Sequence, residues 1–330
     1  MFIKVFIFMS FTFFMLLVVF SYQSNADGIW KVKNNAPIAA AWFPTCEFNG
    51  KIYLFDTVFG GTWEYDPDAD KYTEKARLFS LGDHAAVVLN DKIYATADWG
   101  GMYEYDLIKD TWTEKAKPKF PKRATPLATV NGKIYAFGGV MADGGMNAFS
   151  KVEEYDPVKD TWTFKKDLPF PLAWGAACTV DSKIYIIGSW DGVGISTAVF
   201  EYDANTDKLL RKADIPIGVT ALAKSAPLIN GKIYIIGGYT DKPVSDMQIY
   251  DIKSDTWEKG PSMPTARYAL STIAINGVIY AFCGATGVDP NNQMWISKVE
   301  EYDTGEVISN QAVDVKEKVT TSWGTIRNAH

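Results

Sequence analysis

Five tryptophans of this chain stand beside groups that could handle a polar ligand. They are Trp42, Trp99, Trp174, Trp190 and Trp295, and each falls in a variable loop or at the start of a run of small residues. Asp98 precedes Trp99, Asp191 follows Trp190, and Asp83-His84 opens another small-residue run. An indole face stacks on the CH face of a sugar ring, and carboxylates accept hydrogen bonds from its hydroxyls, so this set suits a sugar. Arg123 and Arg267 occupy comparable places in the chain; a pair of guanidinium groups could hold a carboxylate, and the other use open to each is to pair with a neighbouring Asp or cap a blade end. Two other uses of the tryptophans stay open: filling gaps between structural elements, or forming a protein-partner surface, where Trp is enriched.

Other chemistry lacks its residues. The chain has only two histidines, His84 and His330, so a His-rich metal centre is unavailable. No G-x-S-x-G nucleophile elbow occurs. "DPDADKYTEKAR", from Asp66, imitates a calcium loop, but Lys71 replaces the required Gly and Arg77 the required Glu, so it reads as a turn. Cys46, Cys178 and Cys283 are too few and too scattered for a disulfide scaffold. No cofactor is expected.

The elements that must position these residues are repeats. A Lys/Val-Ile-Tyr tyrosine recurs at Tyr53, Tyr94, Tyr135, Tyr185, Tyr234 and Tyr280. A second tyrosine, followed by Asp, recurs at Tyr65, Tyr105, Tyr155, Tyr202, Tyr250 and Tyr302. Each unit reads as four strands, a to d, of β-branched and aromatic residues. Asn-Gly or a relative joins a to b, as at Asn131-Gly132, and Asp-Pro sequences join c to d. A period in the forties built from short strands predicts a propeller.

These units resemble kelch repeats. The glycine pair after strand b (Gly138-Gly139, Gly237-Gly238), the downstream Tyr and a Trp seven residues later carry the resemblance, which covers roughly residues 29 to 305. Four units depart from the intact glycine pair, among them the one with Cys283. The resemblance implies an all-β, six-bladed β-propeller of four-stranded blades. Blade 6 lacks its own strand d, since the residue seven places after Tyr302 is Ser309. Trp30, however, lies 23 residues before Tyr53, the same spacing as Trp112 to Tyr135 and Trp257 to Tyr280. The N-terminal strand is therefore expected to complete blade 6 and close the ring.

Residues 1–26 read as a signal peptide: Lys4, an apolar run from Val5 to Phe20, and Ser24-Asn25-Ala26 at the cleavage site. The run is too short to span a bilayer, and no later one is long enough. The expected organisation is a signal peptide over 1–26, the propeller over 27–310 and a tail over 311–330, in a secreted or periplasmic monomer. The net charge of −6 contains no basic run, which argues against nucleic acid. Binding is expected on the face carrying the b–c loops, with a glycan or a protein as partner and no catalysis. The alternative is an enzyme: exported six-bladed kelch propellers include sialic-acid mutarotases, similar in size and blade number, which need a carboxylate–arginine site to open and reclose a sugar ring. No catalytic residue of theirs can be matched here. Copper radical oxidases also use kelch propellers, but their histidine pair is missing.

Overall fold

The computed structural model describes residues 28–57, 59–78, 82–83, 85–97, 101–120, 122–141, 147–222, 224–288 and 293–306. His84, Asp98 and Trp99, together with the expected signal peptide and tail, lie outside them. Six four-stranded antiparallel sheets follow one another as blades. Blade 1 is Thr45–Phe48, Lys51–Phe55, Thr62–Asp66 and Lys71–Lys75. Blade 2 is Ala86–Leu89, Lys92–Ala97, Gly101–Asp106 and Thr111–Glu114. Blade 3 is Leu127–Val130, Lys133–Phe137, Val152–Asp156 and Thr161–Phe164. Blade 4 is Ala176–Val180, Lys183–Trp190, Ile195–Asp203 and Lys208–Arg211. Blade 5 is Leu228–Ile229, Lys232–Ile236, Met247–Asp251 and Thr256–Gly260. Blade 6 takes Ser271–Ile275, Val278–Phe282 and Val299–Asp303 from the end of the chain, and its strand d is Trp30–Val32. Among the described residues no helix is long and apolar enough to cross a membrane.

The closing strand sits as the spacing requires. Trp30 pairs with Tyr302, as Trp162 pairs with Tyr155 and Trp257 with Tyr250. The ring centroids of these pairs lie 5.3, 5.1 and 5.0 Å apart. Cross-strand aromatic pairs of this kind are a main source of sheet stability.

Blades are joined by one repeated device. The residue four places after each strand-d aromatic offers its carbonyl to the strand-d aromatic of the next blade. Trp112 donates to the Ala76 carbonyl (3.1 Å), Trp162 to Ala116 (2.8 Å), Trp257 to Ala213 (2.9 Å), Trp30 to Pro261 (3.0 Å) and Tyr72 to Asn34 (3.3 Å). Leu209 holds this position in blade 4 and has no donor to offer. The same joint residues give their N–H to an aspartate in the next blade's c–d turn: Ala76 to Asp110 (2.8 Å), Ala116 to Asp160 (2.9 Å), Ala213 to Asp255 (2.9 Å) and Asn34 to Asp70 (3.1 Å). Each of these aspartates also accepts the hydroxyl of the buried strand-c tyrosine five residues earlier, as Tyr155 to Asp160 and Tyr250 to Asp255, both at 2.6 Å. At the joint between blades 5 and 6 the residue is Pro261, which has no N–H, and position 307, where that aspartate would stand, is a valine.

The calcium-like sequence is absorbed into this scheme. Asp66 caps its own turn by accepting N–H groups from Asp68 and Ala69, and Asp70 serves the joint to blade 6. The three cysteines are buried and unbonded to one another. Burial pushes the Cys178 thiol up to about 12, where it is a poor nucleophile.

Two outcomes follow for stability. Trp30→Ala is expected to cost about 2–3 kcal/mol in chemical denaturation, somewhat under the ~3–5 kcal/mol of a fully buried tryptophan; an unchanged midpoint would mean that the N-terminal strand does not close the ring. The Asp255 carboxyl is held below the ordinary aspartate value of 3.8 by the Tyr250 hydroxyl first, then by the Ala213 N–H. A lowered carboxyl pKa adds stability that is complete above the unfolded value and lost as pH falls through the folded one. The Asp255→Asn variant should therefore show a flatter loss of stability below about pH 4 in acid titrations followed by circular dichroism.

Candidate functional site

The start of each strand a fixes one rim of the central channel. Five rim residues hold left-handed backbones without being glycine: Trp42 (φ 63°), Ala124 (58°), Trp174 (53°), Ala221 (54°) and Ala269 (51°). Such conformations are uncommon for these residue types and persist only where the surroundings impose them. Here the surroundings are a chain of backbone hydrogen bonds around the mouth. Trp42 N–H binds the Ala269 carbonyl (2.9 Å), Ala269 binds Ala221 (2.8 Å), Leu222 binds Trp174 (3.3 Å) and Trp174 binds Ala124 (3.1 Å). The glycine pair after strand b serves the same rim. Gly139 N–H binds the Leu172 carbonyl of the next blade at 2.6 Å, and a Cβ on Gly138 would stand 2.1 Å from that carbonyl oxygen.

This rim opens into a cavity of about 320 Å³ lined by Trp42, Asp83, Arg123, Trp174, Trp190, Thr220, Ala221, Tyr239, Tyr268 and Gln293. Five of the eleven expected site residues therefore meet in one place: Trp42, Asp83, Arg123, Trp174 and Trp190. The aromatic walls pack edge to face, with Trp42–Trp174 at 6.3 Å, Trp42–Tyr268 at 6.1 Å and Tyr239–Tyr268 at 5.1 Å. At the floor, Asp83 of blade 2 meets the ammonium of Lys224, which comes from blade 5 across the ring. Both side chains are more than nine-tenths buried. Trp174 donates its indole N–H to the other Asp83 oxygen at 3.1 Å. Burial pushes the Lys224 pKa well below the ordinary lysine value. Beneath the mouth, the strand-a residues, among them Ala86, Ala128 and Ala177, line a second space of about 370 Å³.

Three expected residues do not line this cavity. Arg267 is fully buried: its guanidinium pairs with Glu300 at 3.1 Å and donates to the Ala281 carbonyl at 3.0 Å. The reason is an offset of one residue. Arg123 precedes its left-handed rim residue, Ala124, by one place, whereas Arg267 precedes Ala269 by two, and neighbouring residues of extended chain point to opposite sides. Asp191 spends its carboxylate on its own turn, accepting N–H groups from Val193 (2.9 Å) and Gly194 (2.8 Å). Trp295 lies in a short hairpin of the blade 6 b–c loop, partly exposed, donating to Gln293 at 3.0 Å.

Other mouth residues escaped the sequence reading. Tyr268 and Arg123 both lie 12 residues before their strand-b tyrosines, and Trp42, Asp83 and Trp174 lie 11 before theirs, so a backward count would have found Tyr268. Blade 5 hides Thr220 and Lys224 from that count, because its rim residue Ala221 lies 13 before Tyr234. Gln293 follows a loop with no repeat pattern and gave no signal.

Comparison with known proteins gives a consistent architecture. Residues 94–308 match the Attractin/LZTR1 beta-propeller family. An F-box/kelch-repeat protein of Arabidopsis thaliana is 27% identical over 135 residues, covering 38% of this chain and 29% of that protein. Kelch-like protein 40 of Xenopus laevis is 33% identical over 69 residues, covering 21% and 11%. The chain thus spans less than a third of the length of either relative. The solved structure of YjhT superposes with a TM-score of 0.69 at 16% identity, covering 81% of this chain and 96% of that one, and so shares the fold.

The floor pair makes a distinct expectation. Asp83→Ala removes the carboxylate that faces the buried Lys224 and should cost about 3–5 kcal/mol in urea denaturation, whereas the double variant Asp83→Leu/Lys224→Met should recover most of that loss.

Proposed function

The chain belongs to the Attractin/LZTR1 beta-propeller family and is a kelch-repeat protein, and from that premise we propose that it is an exported, non-catalytic binding module that takes a glycan at the mouth on its b–c loop face. Kelch propellers are binding scaffolds whose usual partners are proteins, and fold alone does not choose among ligands. The observation favouring a sugar is the convergence of Trp42, Trp174, Trp190, Tyr239 and Tyr268 on one cavity of about 320 Å³. That space suits a ligand of one or two rings, and aromatic walls with a few polar groups are the usual make-up of a small-ligand site. The export reading rests on the sequence of residues 1–26.

A second reading, a sugar-ring mutarotase, draws support from one feature. Asp83 and Lys224 form a titratable pair at the floor of the same cavity, and such a pair could relay a proton during ring opening.

Glycan-array binding with sialic-acid anomer NMR separates the two. Glycan capture without accelerated anomer exchange is the expected result, and Trp42→Ala or Trp174→Ala should weaken capture about tenfold or more. Exchange above background, abolished by Asp83→Asn, would replace the binding-module reading with the enzyme. Silence in both assays would leave a protein partner as the ligand.

A further inference from the structure

The channel has a second end. The Asp83–Lys224 pair forms the floor of the mouth, and the chamber of about 370 Å³ lies beneath it, among the a strands. Exposure tells which way that chamber opens. Along strand a, from the mouth to the a–b turn, the lining residues pass from buried to partly exposed: Thr45 to Glu47, Ala86 to Val88, Leu127 to Thr129. In blade 5 the last of them, Leu228, is 37% exposed, although its neighbour Pro227 is buried. The chamber is thus closed above by the ion pair and open on the face carrying the a–b turns. Its wall is mostly apolar. Among the described residues that line it, Glu47 is the single charged one, and its carboxylate accepts the Gly50 N–H at 2.9 Å.

Glu306, the last described residue, stands at that opening. In the other five blades the chain turns outward after strand c to form strand d; in blade 6 that place is filled by Trp30–Val32. Thr304 donates its hydroxyl to the Gly277 carbonyl at 2.7 Å, and Glu306 accepts the side-chain amide of Asn230, in the a–b turn of blade 5, at 2.8 Å. Asn230 is two residues from Leu228. Residues 307–330 therefore start beside the chamber with the outward path taken. They read "VISNQAVDVKEKVTTSWGTIRNAH", with β-branched Val307 and Ile308 first and a single aromatic residue, Trp323.

We propose that residues 307–330 close the channel from the a–b turn face, with Trp323 seated in the lower chamber and Val307 and Ile308 covering Leu228 at its edge. Trp323 is 17 residues beyond Glu306, which extended chain converts to at most about 60 Å, so a fold-back onto the opening is well within reach. One indole and a few β-branched side chains are too little to hold a separate peptide. A tethered segment acts at an effective concentration of about a millimolar, so contacts of that strength suffice. Burying the indole and the exposed part of Leu228 removes apolar surface from water, which is the driving force. The proposal is independent of what the mouth binds.

The test is limited trypsin digestion of the full chain, with cleavage after Lys316, Lys318 and Arg327 followed by mass spectrometry. Cleavage there should be about ten times slower or more than in a synthetic peptide of residues 307–330, because the protease reaches only the undocked fraction. Trp323→Phe should remove a blue-shifted component from the tryptophan emission. Leu228→Glu, which puts a charge at the opening, and Trp323→Ser should each bring cleavage to within about twofold of the peptide rate, with melting temperatures confirming that the ring stays folded. Cleavage at the peptide rate in the unaltered chain overturns the proposal. Protection that neither variant removes also overturns it, by placing the segment elsewhere on the propeller. Protection that disappears on dilution overturns it in favour of docking on a second copy.

Discussion

Everything in this molecule hangs on a backbone residue that serves two blades. Ala76, Ala116 and Ala213 each end one blade and give both carbonyl and N–H to the next, to a tryptophan and an aspartate respectively. A hydrogen bond through an indole N–H is directional, and the aspartate fixes the second direction, so the two together set how one sheet sits against its neighbour. Packing of the flat blade faces alone is non-directional and would tolerate sliding. The joints turn six similar sheets into a ring of fixed pitch, and the channel mouth inherits its shape from them.

At the mouth a second, inner chain of backbone bonds runs through five left-handed residues, from Trp42 to Ala124. At or beside the starts of the a strands, every blade brings one side chain to the cavity: Trp42, Asp83, Arg123, Trp174, Thr220 and Tyr268. Because the rim is held by main-chain contacts, the frame does not require the same side chain from each blade. That freedom lets one blade supply an acid, another a cation and others aromatic rings, and an asymmetric site arises on a symmetric frame.

The fold was legible because its determinants are local and repeated. Two tyrosines and a tryptophan at set spacings gave the blade count, and the place of Trp30 gave the closure. The site was half legible. Trp42, Asp83, Arg123, Trp174 and Trp190 were found because aromatic and charged residues stand out against small-residue strands. Arg267 misled because a one-residue offset, invisible in composition, turns a side chain from solvent to core. Lys224 was missed because two extra residues in blade 5 break the count, and Gln293 because its meaning depends on Trp42, far away in sequence. The role of the c–d turn aspartates was also hidden: they read as turn formers, which Asp66 is, while Asp70 also joins two blades.

The closure by Trp30–Val32 has a consequence for how the ring comes together in time. Trp30 and its partner Pro261 are separated by 231 residues. Bringing such distant points together costs on the order of 5 kcal/mol of chain entropy if nothing between them is organised, and far less once the intervening blades stack. Neighbouring blades assemble from contacts a few tens of residues apart, so they are favoured to form first. The strand that precedes blade 1 in the chain is then favoured to dock after the blades between it and blade 6 have stacked. The ring's seam is thus also its kinetic threshold: a chain stalled before that step would carry five ordered blades and one open sheet edge, the form most exposed to mispairing.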